Sequence, residues 1–165
     1  MKFKYKVLLI VAPAVFLLDQ LTKFLIVKWI PLGERIAVVP GFFDIVHYSN
    51  SGAAFGMLAG ADSSWRIPFF HIVSVLALFA IVAYIFKLRE DEKTMSVVLS
   101  LVVGGIFGNG LDRLQAGSVT DFLSFHIGER ALWGVALEWP AFNVADSAIT
   151  IAMVLLIFLA IKGEK

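Results

Sequence analysis

Four long apolar segments constrain this chain more than any other feature of its sequence. They cover about residues 7–27, 67–86, 95–111 and 141–161, and a helix needs about 20 mainly apolar residues to cross a bilayer. The composition agrees, with 59% hydrophobic and only 16% charged residues, because soluble chains carry about 25% charged residues. The sequence therefore predicts a single integral membrane domain that is all-α within the membrane, with four transmembrane helices.

Composition also excludes several classes of chemistry. The chain has no cysteine, so disulfides, thiolate metal sites and cysteine nucleophiles are absent. The three histidines, His47, His71 and His126, are scattered and form no HExxH motif, which disfavours a metalloprotease. A net charge of +1 without a basic stripe gives no indication of nucleic-acid binding. We predict no metal site, no cofactor and no nucleic-acid partner.

The distribution of Lys and Arg predicts how the four helices are oriented. Basic residues crowd the N-terminus, the short connection 87–94 and the C-terminus, whereas the long connections 28–66 and 112–140 hold few. Cytoplasmic loops of membrane proteins carry an excess of Lys and Arg. We therefore expect both termini in the cytoplasm and both long connections on the outer side of the membrane.

The first long connection contains two β-prone runs, residues 35–39 and 42–48, on either side of the turn dipeptide Pro40-Gly41. They predict a small sheet outside the membrane, with one face resting on lipid or on a substrate. The alternative is a loosely packed loop.

Polar residues of the apolar segments gather near one side of the membrane. In the expected orientation the outer level holds Asp19, Lys23, Asn109, Asp112, Arg113, Asp121, Asn143 and Asp146. A charged side chain at the centre of a membrane helix costs roughly 2.5–3.5 kcal/mol on insertion scales, so such residues usually have a function. A proton relay or ion path would spread ionisable groups through the whole membrane thickness. The clustering favours chemistry at the outer surface.

Helical spacing separates paired from unpaired carboxylates at that level. Asp19 and Lys23 are spaced i,i+4 and can neutralise each other, either as a structural pair or as a functional one. Asp112 has a cation at the next position and is interpreted as a supporting residue. Asp121 and Asp146 have no local cation, and two such carboxylates repel unless one is protonated, as in an aspartic-protease dyad. That the two instead face separate waters or contact other helices stays open on this reasoning.

Five short motifs occur in order along the chain. They are Asp19-x-x-Thr22-Lys23, Asn50-x-Gly52-Ala53-Ala54-Phe55-Gly56, Gly104-Gly105-x-x-Gly108-Asn109-x-x-Asp112-Arg113, Gly117-x-Val119-x-Asp121-Phe122 and Phe142-Asn143-x-Ala145-Asp146. With them the chain resembles the bacterial lipoprotein signal peptidases (signal peptidase II) over essentially its whole length. The resemblance implies an aspartyl endopeptidase of the bacterial inner membrane, active at the outer (periplasmic) face. Its expected reaction is removal of the signal peptide from diacylglyceryl-modified prolipoproteins, before the lipidated cysteine.

The resemblance also implies the residues of the site. The family's catalytic pair falls on Asp121 and Asp146. Supporting or substrate-binding positions fall on Asn50, Gly52, Phe55, Asn109, Asp112, Arg113, Asn143 and Ala145. A β-cradle on the membrane and a short helix over the active site are implied as well, and the implied partners are lipidated prolipoprotein signal peptides, membrane lipid and globomycin-type inhibitors. Residues 123–139 match none of these motifs.

Two other functions stay open on the residues alone. A small transporter would use buried aspartates, but it would place ionisable groups at the membrane midplane, and the chain shows no internal repeat. A non-enzymatic membrane scaffold would use the polar residues to hold helices together.

Overall fold

The computed structural model describes residues 1–52, 62–128 and 137–163. The elements follow one another as α1 (Phe3–Trp29), β1 (Arg35–Val39), β2 (Phe43–Asn50), α2 (Ser63–Lys87), α3 (Lys93–Ala116), β3 (Val119–Phe125) and α4 (Val144–Lys162). All four helices are long and apolar enough to cross a membrane. The predicted fold class, four membrane helices with a small sheet, is therefore confirmed.

The outward faces of the helices are apolar. Leu9, Ile10, Phe79 and Ile161 each expose more than 60% of their surface, at 62%, 68%, 75% and 80%. Soluble proteins rarely leave contiguous apolar surface of this extent in water. The exposed side chains are suited to contact lipid, as in a multi-pass membrane protein.

The central helix of the bundle is α3, which packs against α1, α2 and α4. Its glycines permit the close approach. A Cβ added at Gly104 would lie 2.8 Å from the Ala12 carbonyl oxygen of α1, and one at Gly105 would lie 2.8 Å from the Ala145 carbonyl oxygen of α4. Any larger side chain would push the helices apart. Two neighbouring glycines therefore seat α1 and α4 on different sides of α3.

A buried cluster joins α1, α2 and α3 at the end of the bundle that carries the N-terminus. Its members are Ala12, Ile85, Leu88, Leu99 and Val103. Beside it the buried amine of Lys4 donates to the Phe86 carbonyl at 3.0 Å and to the Leu88 carbonyl at 2.6 Å. Because the last carbonyls of a helix lack partners within the helix, this lysine caps the C-terminal end of α2.

The three strands form one antiparallel sheet in the order β1-β2-β3. The sequence predicted the first two strands, but β3 comes from the second long connection and joins the two connections into one layer. Tyr48 pairs with Asp121 and Asn50 with Val119. Because side chains alternate across a strand, this register puts the Asn50 side chain on the same face as Asp121.

Candidate active site

A cavity of about 710 Å³ lies where α3, β3 and the first turns of α4 meet. Both predicted catalytic residues, Asp121 and Asp146, line it. The other lining residues are Asn50, Asn109, Arg113, Val119, Trp139, Pro140, Ala141, Phe142, Ser147, Ile149, Thr150, Ile151 and Met153. A mainly apolar cleft with a few convergent polar groups is typical of a ligand or substrate site.

Asp121 lies on β3 with only 3% of its surface exposed. Its two carboxylate oxygens accept hydrogen bonds from side-chain amides, Oδ2 from Asn50 at 3.0 Å and Oδ1 from Asn143 at 2.8 Å. Burial raises the pKa of Asp121 from 3.8 to about 7; the Asn50 hydrogen bond opposes this change, and the charge of Asp146 adds to it. The carboxyl group can therefore hold a proton near neutral pH.

Asp146 occupies the third position of α4, where its carboxylate accepts two hydrogen bonds. Its Oδ1 accepts from Asn109 Nδ2 at 2.8 Å, and its Oδ2 accepts from the Asn143 backbone N–H at 3.3 Å. In return Asn143 Oδ1 accepts from the Asp146 backbone N–H at 3.0 Å, which completes a capping box. One carboxylate thus caps the helix and faces the cavity.

Asn143 links the two carboxylates. The side chain is fully buried at 0% exposure. Its amide nitrogen donates to Asp121 Oδ1 at 2.8 Å while its amide oxygen accepts from the backbone of Asp146. A single side chain therefore holds β3 and the start of α4 in one arrangement and brings Asp121 and Asp146 to the same site.

A group of charged side chains on α1 and α3 connects to Asp146 through Asn109. Lys23 Nζ lies 2.8 Å from Asp19 Oδ2, 2.9 Å from Asp112 Oδ2 and 2.9 Å from Asn109 Oδ1. Asp19 Oδ1 also accepts from the Ala145 backbone N–H at 2.9 Å. The lysine joins α1 to α3, and the aspartate joins α1 to one of the otherwise unpaired N–H groups at the start of α4.

Asp112 and Arg113 have different partners although they are adjacent. Asp112 pairs with Lys23 and accepts from the Thr120 backbone N–H at 3.1 Å, so it holds the start of β3. Arg113, which the sequence suggested as the cation beside Asp112, instead donates to the Gly52 carbonyl at 3.2 Å. Its guanidinium also lies over an aromatic ring of α2, 4.9 Å from the ring centroid.

The structure describes two of the three remaining predicted site residues. Gly52 donates its backbone N–H to Asn50 Oδ1 at 3.0 Å and so helps to orient the amide that binds Asp121. Ala145 is fully buried, and its methyl group packs towards Gly108. Phe55 lies outside the residues that the structure describes.

Sequence reasoning missed two contributors to the site. Gln20 Nε2 lies 3.0 Å from Asp112 Oδ1, 3.1 Å from the Gly108 carbonyl oxygen and 3.2 Å from Asp19 Oδ2. Its signal was an amide next to an aspartate within an apolar segment. Gly108 was quoted only as part of a motif, yet a Cβ there would lie 2.5 Å from Asp19 Oδ2, so the glycine makes room for that carboxylate.

Comparisons with known proteins agree with one another. A family model described as Signal peptidase (SPase) II matches residues 11–162. The lipoprotein signal peptidase of Syntrophotalea carbinolica is 42% identical over 154 residues, 93% of this chain and 90% of that protein. The one of Geobacter metallireducens is 41% identical over 165 residues, 100% of this chain and 96% of that protein.

Solved structures support the same assignment. One described as a bacterial membrane enzyme is 33% identical with a TM-score of 0.80, covering 94% of this chain and 87% of its own. A second is also 33% identical, with a TM-score of 0.78, and covers 94% of this chain and 92% of its own. The family match, the relatives and the fold together show that this chain belongs to the signal peptidase II family of aspartic membrane peptidases.

Proposed function

We propose that this protein removes the signal peptide from diacylglyceryl-modified prolipoproteins, cutting before the lipidated cysteine with Asp121 and Asp146 as the catalytic dyad. One observation carries the proposal: two carboxylates line the same cavity and accept hydrogen bonds from the same asparagine, Asn143, Asp121 from its side-chain amide and Asp146 from its backbone N–H. The name of the relatives, lipoprotein signal peptidase, supports the class of substrate.

The reaction needs one ionised and one protonated carboxyl group. The ionised carboxylate takes a proton from a water held between the pair, and the protonated group polarises the scissile carbonyl. The water oxygen bonds to the carbonyl carbon, the C–N bond then breaks, and the departing amine receives a proton. The raised pKa of Asp121 supports this division, because it brings one member of the pair within reach of protonation near neutral pH.

The apolar lining of the cavity supports an apolar peptide as the substrate. From Asp146 its wall continues along α4 through Ile149 to Met153, which is about 10 Å at 1.5 Å per residue. A signal peptide could lay its apolar segment along this wall. Its diacylglyceryl chain would remain in the bilayer and hold the scissile bond at the interface.

The orientation that suits this reaction places both termini in the cytoplasm and the dyad at the periplasmic face of the inner membrane. The Lys and Arg distribution supports it, because the N-terminus, the connection 87–94 and the C-terminus are the basic regions. The sheet then lies outside the membrane, and water reaches the dyad after crossing only a shallow layer.

Carboxamide substitutions test the catalytic assignment. Asp121→Asn and Asp146→Asn should each give a folded protein with no detectable cleavage of a lipidated prolipoprotein in a gel-shift assay. Asp91→Asn is the matched control, because Asp91 is exposed in the connection between α2 and α3. Retained cleavage in either dyad variant would remove that residue from the chemistry.

The lipid on the substrate tests the specificity. An unlipidated precursor should be cleaved far more slowly than the lipidated one, and a globomycin-type inhibitor should block cleavage by the unmodified protein. Equal processing of both precursors would refute the lipoprotein specificity but leave the protease assignment. Ion flux in vesicles that depends on Asp146 would favour a transporter, and a change in assembly without a change in turnover would favour a scaffold.

A further inference from the structure

Lys23 is a buried cation that reaches the dyad through one intermediate side chain. Only 4% of its side chain is exposed, and among the described residues its ion pairs are with Asp19 and Asp112 and its hydrogen bond is to Asn109. We infer that Lys23 is a positioning residue that acts through Asn109 to keep Asp146 ionised at rest, so that Asp121 carries the shared proton. The inference rests on the proposed function, because it divides the roles within that dyad.

The orientation of the Asn109 amide is determined by its neighbours. Its oxygen lies between two donors, 2.9 Å from Lys23 Nζ and 3.1 Å from Asn143 Nδ2. A flipped amide would turn its own N–H groups towards both donors and its oxygen towards the Asp146 carboxylate. The amide nitrogen must therefore point at Asp146 Oδ1, to which it donates at 2.8 Å.

The cation on the amide oxygen strengthens this donor. Hydrogen bonds in a chain polarise one another in a low-dielectric interior, and a bond that ends on an ionised acceptor is stronger than one to a neutral group. The chain from Lys23 through Asn109 therefore favours the ionised form of Asp146. The N-terminus of α4 acts in the same direction, because the start of a helix favours negative charge.

Asp121 has neither a donor amide that is hydrogen-bonded to Lys23 nor a position at a helix N-terminus. Its hydrogen bonds come from the neutral amides of Asn50 and Asn143, and it lies on a strand and not at a helix N-terminus. Burial opposes the charged form of both carboxyl groups, and the charge of Lys23 favours it in both, so the hydrogen-bond chain through Asn109 and the helix N-terminus are what distinguish the two.

The net charge of the other groups around Asp146 does not determine which of the two carboxyl groups carries the proton. Those groups are Asp19 and Lys23 on α1, Asp112 and Arg113 on α3, and Asp121 on β3. Apart from the dyad itself, two are positive and two are negative, so their formal charges cancel. The direction of the hydrogen bonds and the helix N-terminus then determine where the proton resides.

A double-mutant cycle with pH profiles tests the inference. Lys23→Met and Asn109→Ala should each lower kcat at least tenfold and move the acidic limb of the kcat/KM profile at least one pH unit higher, because that limb reports ionisation of the base. KM should change less than threefold. The double variant should resemble the single variants, because both remove the same chain of contacts. Lys28→Met is the matched control on α1, where Lys28 lies over the exposed Trp29 ring at 5.0 Å.

The outcomes separate positioning from simple structural support. If Lys23→Met does not fold, because it leaves the carboxylates of Asp19 and Asp112 without a cation, Asn109→Ala tests the link to Asp146, since it leaves the ion pairs of Lys23 in place. An unchanged acidic limb in a folded variant, or additive losses in the double variant, would overturn the inference while the protease assignment stood. Cleavage that survives Asp121→Asn would instead refute the proposed dyad.

Discussion

The stability of Asp121→Asn relative to the unmodified protein should rise with pH, and the variant should have no activity. The Asp121 side chain is buried in the site, and its pKa is about 7 in the folded protein against an ordinary value of 3.8. Between these two values the folded state holds a proton that the unfolded chain releases. The unfolding free energy therefore falls as the pH rises. The stability contributed by this proton is fully present below pH 3.8 and is lost as the pH rises through about 7.

The size of the effect follows from that pKa difference. The interval from 3.8 to about 7 covers about three pH units, and each is worth about 1.4 kcal/mol, so about 4 kcal/mol of stability depends on this proton. Asparagine carries no charge at any of these pH values, and the cost of turning its NH2 group towards the amide of Asn50 or Asn143 is the same at every pH. The advantage of the variant over the unmodified protein should therefore grow by about 3 kcal/mol between pH 5 and pH 8.

Denaturant unfolding in detergent at several pH values between 5 and 8 measures this difference. Asp91→Asn provides the control, since its exposed carboxylate carries no comparable cost of burial. A stability difference between Asp121→Asn and the unmodified protein that does not change with pH would show that burial does not penalise the charged form of Asp121.

Three further substitutions test the structural support of the site. Gly108→Ala should lower the unfolding free energy by about 1–3 kcal/mol and reduce cleavage, because its Cβ would lie 2.5 Å from the buried Asp19 carboxylate. Gly110→Ala is the control, because a Cβ there has nothing within 4 Å. It should have neither effect in the same unfolding and cleavage assays. Lys4→Met should lower the unfolding free energy by about 1–3 kcal/mol, because it removes the two hydrogen bonds to the end of α2. Its kcat should be unchanged, and a lower kcat in the folded variant would contradict a purely structural role of Lys4. Arg113→Lys keeps the charge but loses the planar guanidinium that donates to a carbonyl and covers an aromatic ring. Steady-state kinetics should show a KM several-fold higher, and an unchanged KM would argue against a role in the substrate cleft.

The membrane helices and two of the strands could be predicted because their signals are local. A segment that crosses lipid must be apolar over its whole length, since its backbone finds no water there. The strands β1 and β2 follow each other across a tight turn, so their β-prone residues are visible in one short stretch. β3 was not predicted, because it pairs with a strand that is far away along the chain. Asn50 of β2 lies opposite Val119 of β3.

Ion pairing shows the limit of reasoning from neighbours in sequence. The spacing of Asp19 and Lys23 on one helix face indicated that the two could pair, and the structure places Lys23 Nζ 2.8 Å from Asp19. Adjacency in sequence suggested Arg113 as the cation for Asp112, whereas in the structure Asp112 forms an ion pair with Lys23 of another helix. The packing of α1 against α3 brings Lys23 and Asp112 together, and a short stretch of sequence cannot show this because the two helices are far apart along the chain.

The sequence by itself determined the class of the protein: the length and apolarity of four segments require a membrane bundle, and five motifs indicate the family and its two aspartates. Only the tertiary structure decided how those aspartates are held and how readily one accepts a proton. Asn143 connects them across two elements, and burial between helices and sheet raises the pKa of Asp121. Hydropathy is a property of each residue and is read along the chain, whereas desolvation and hydrogen bonding depend on the atoms that folding brings around a group.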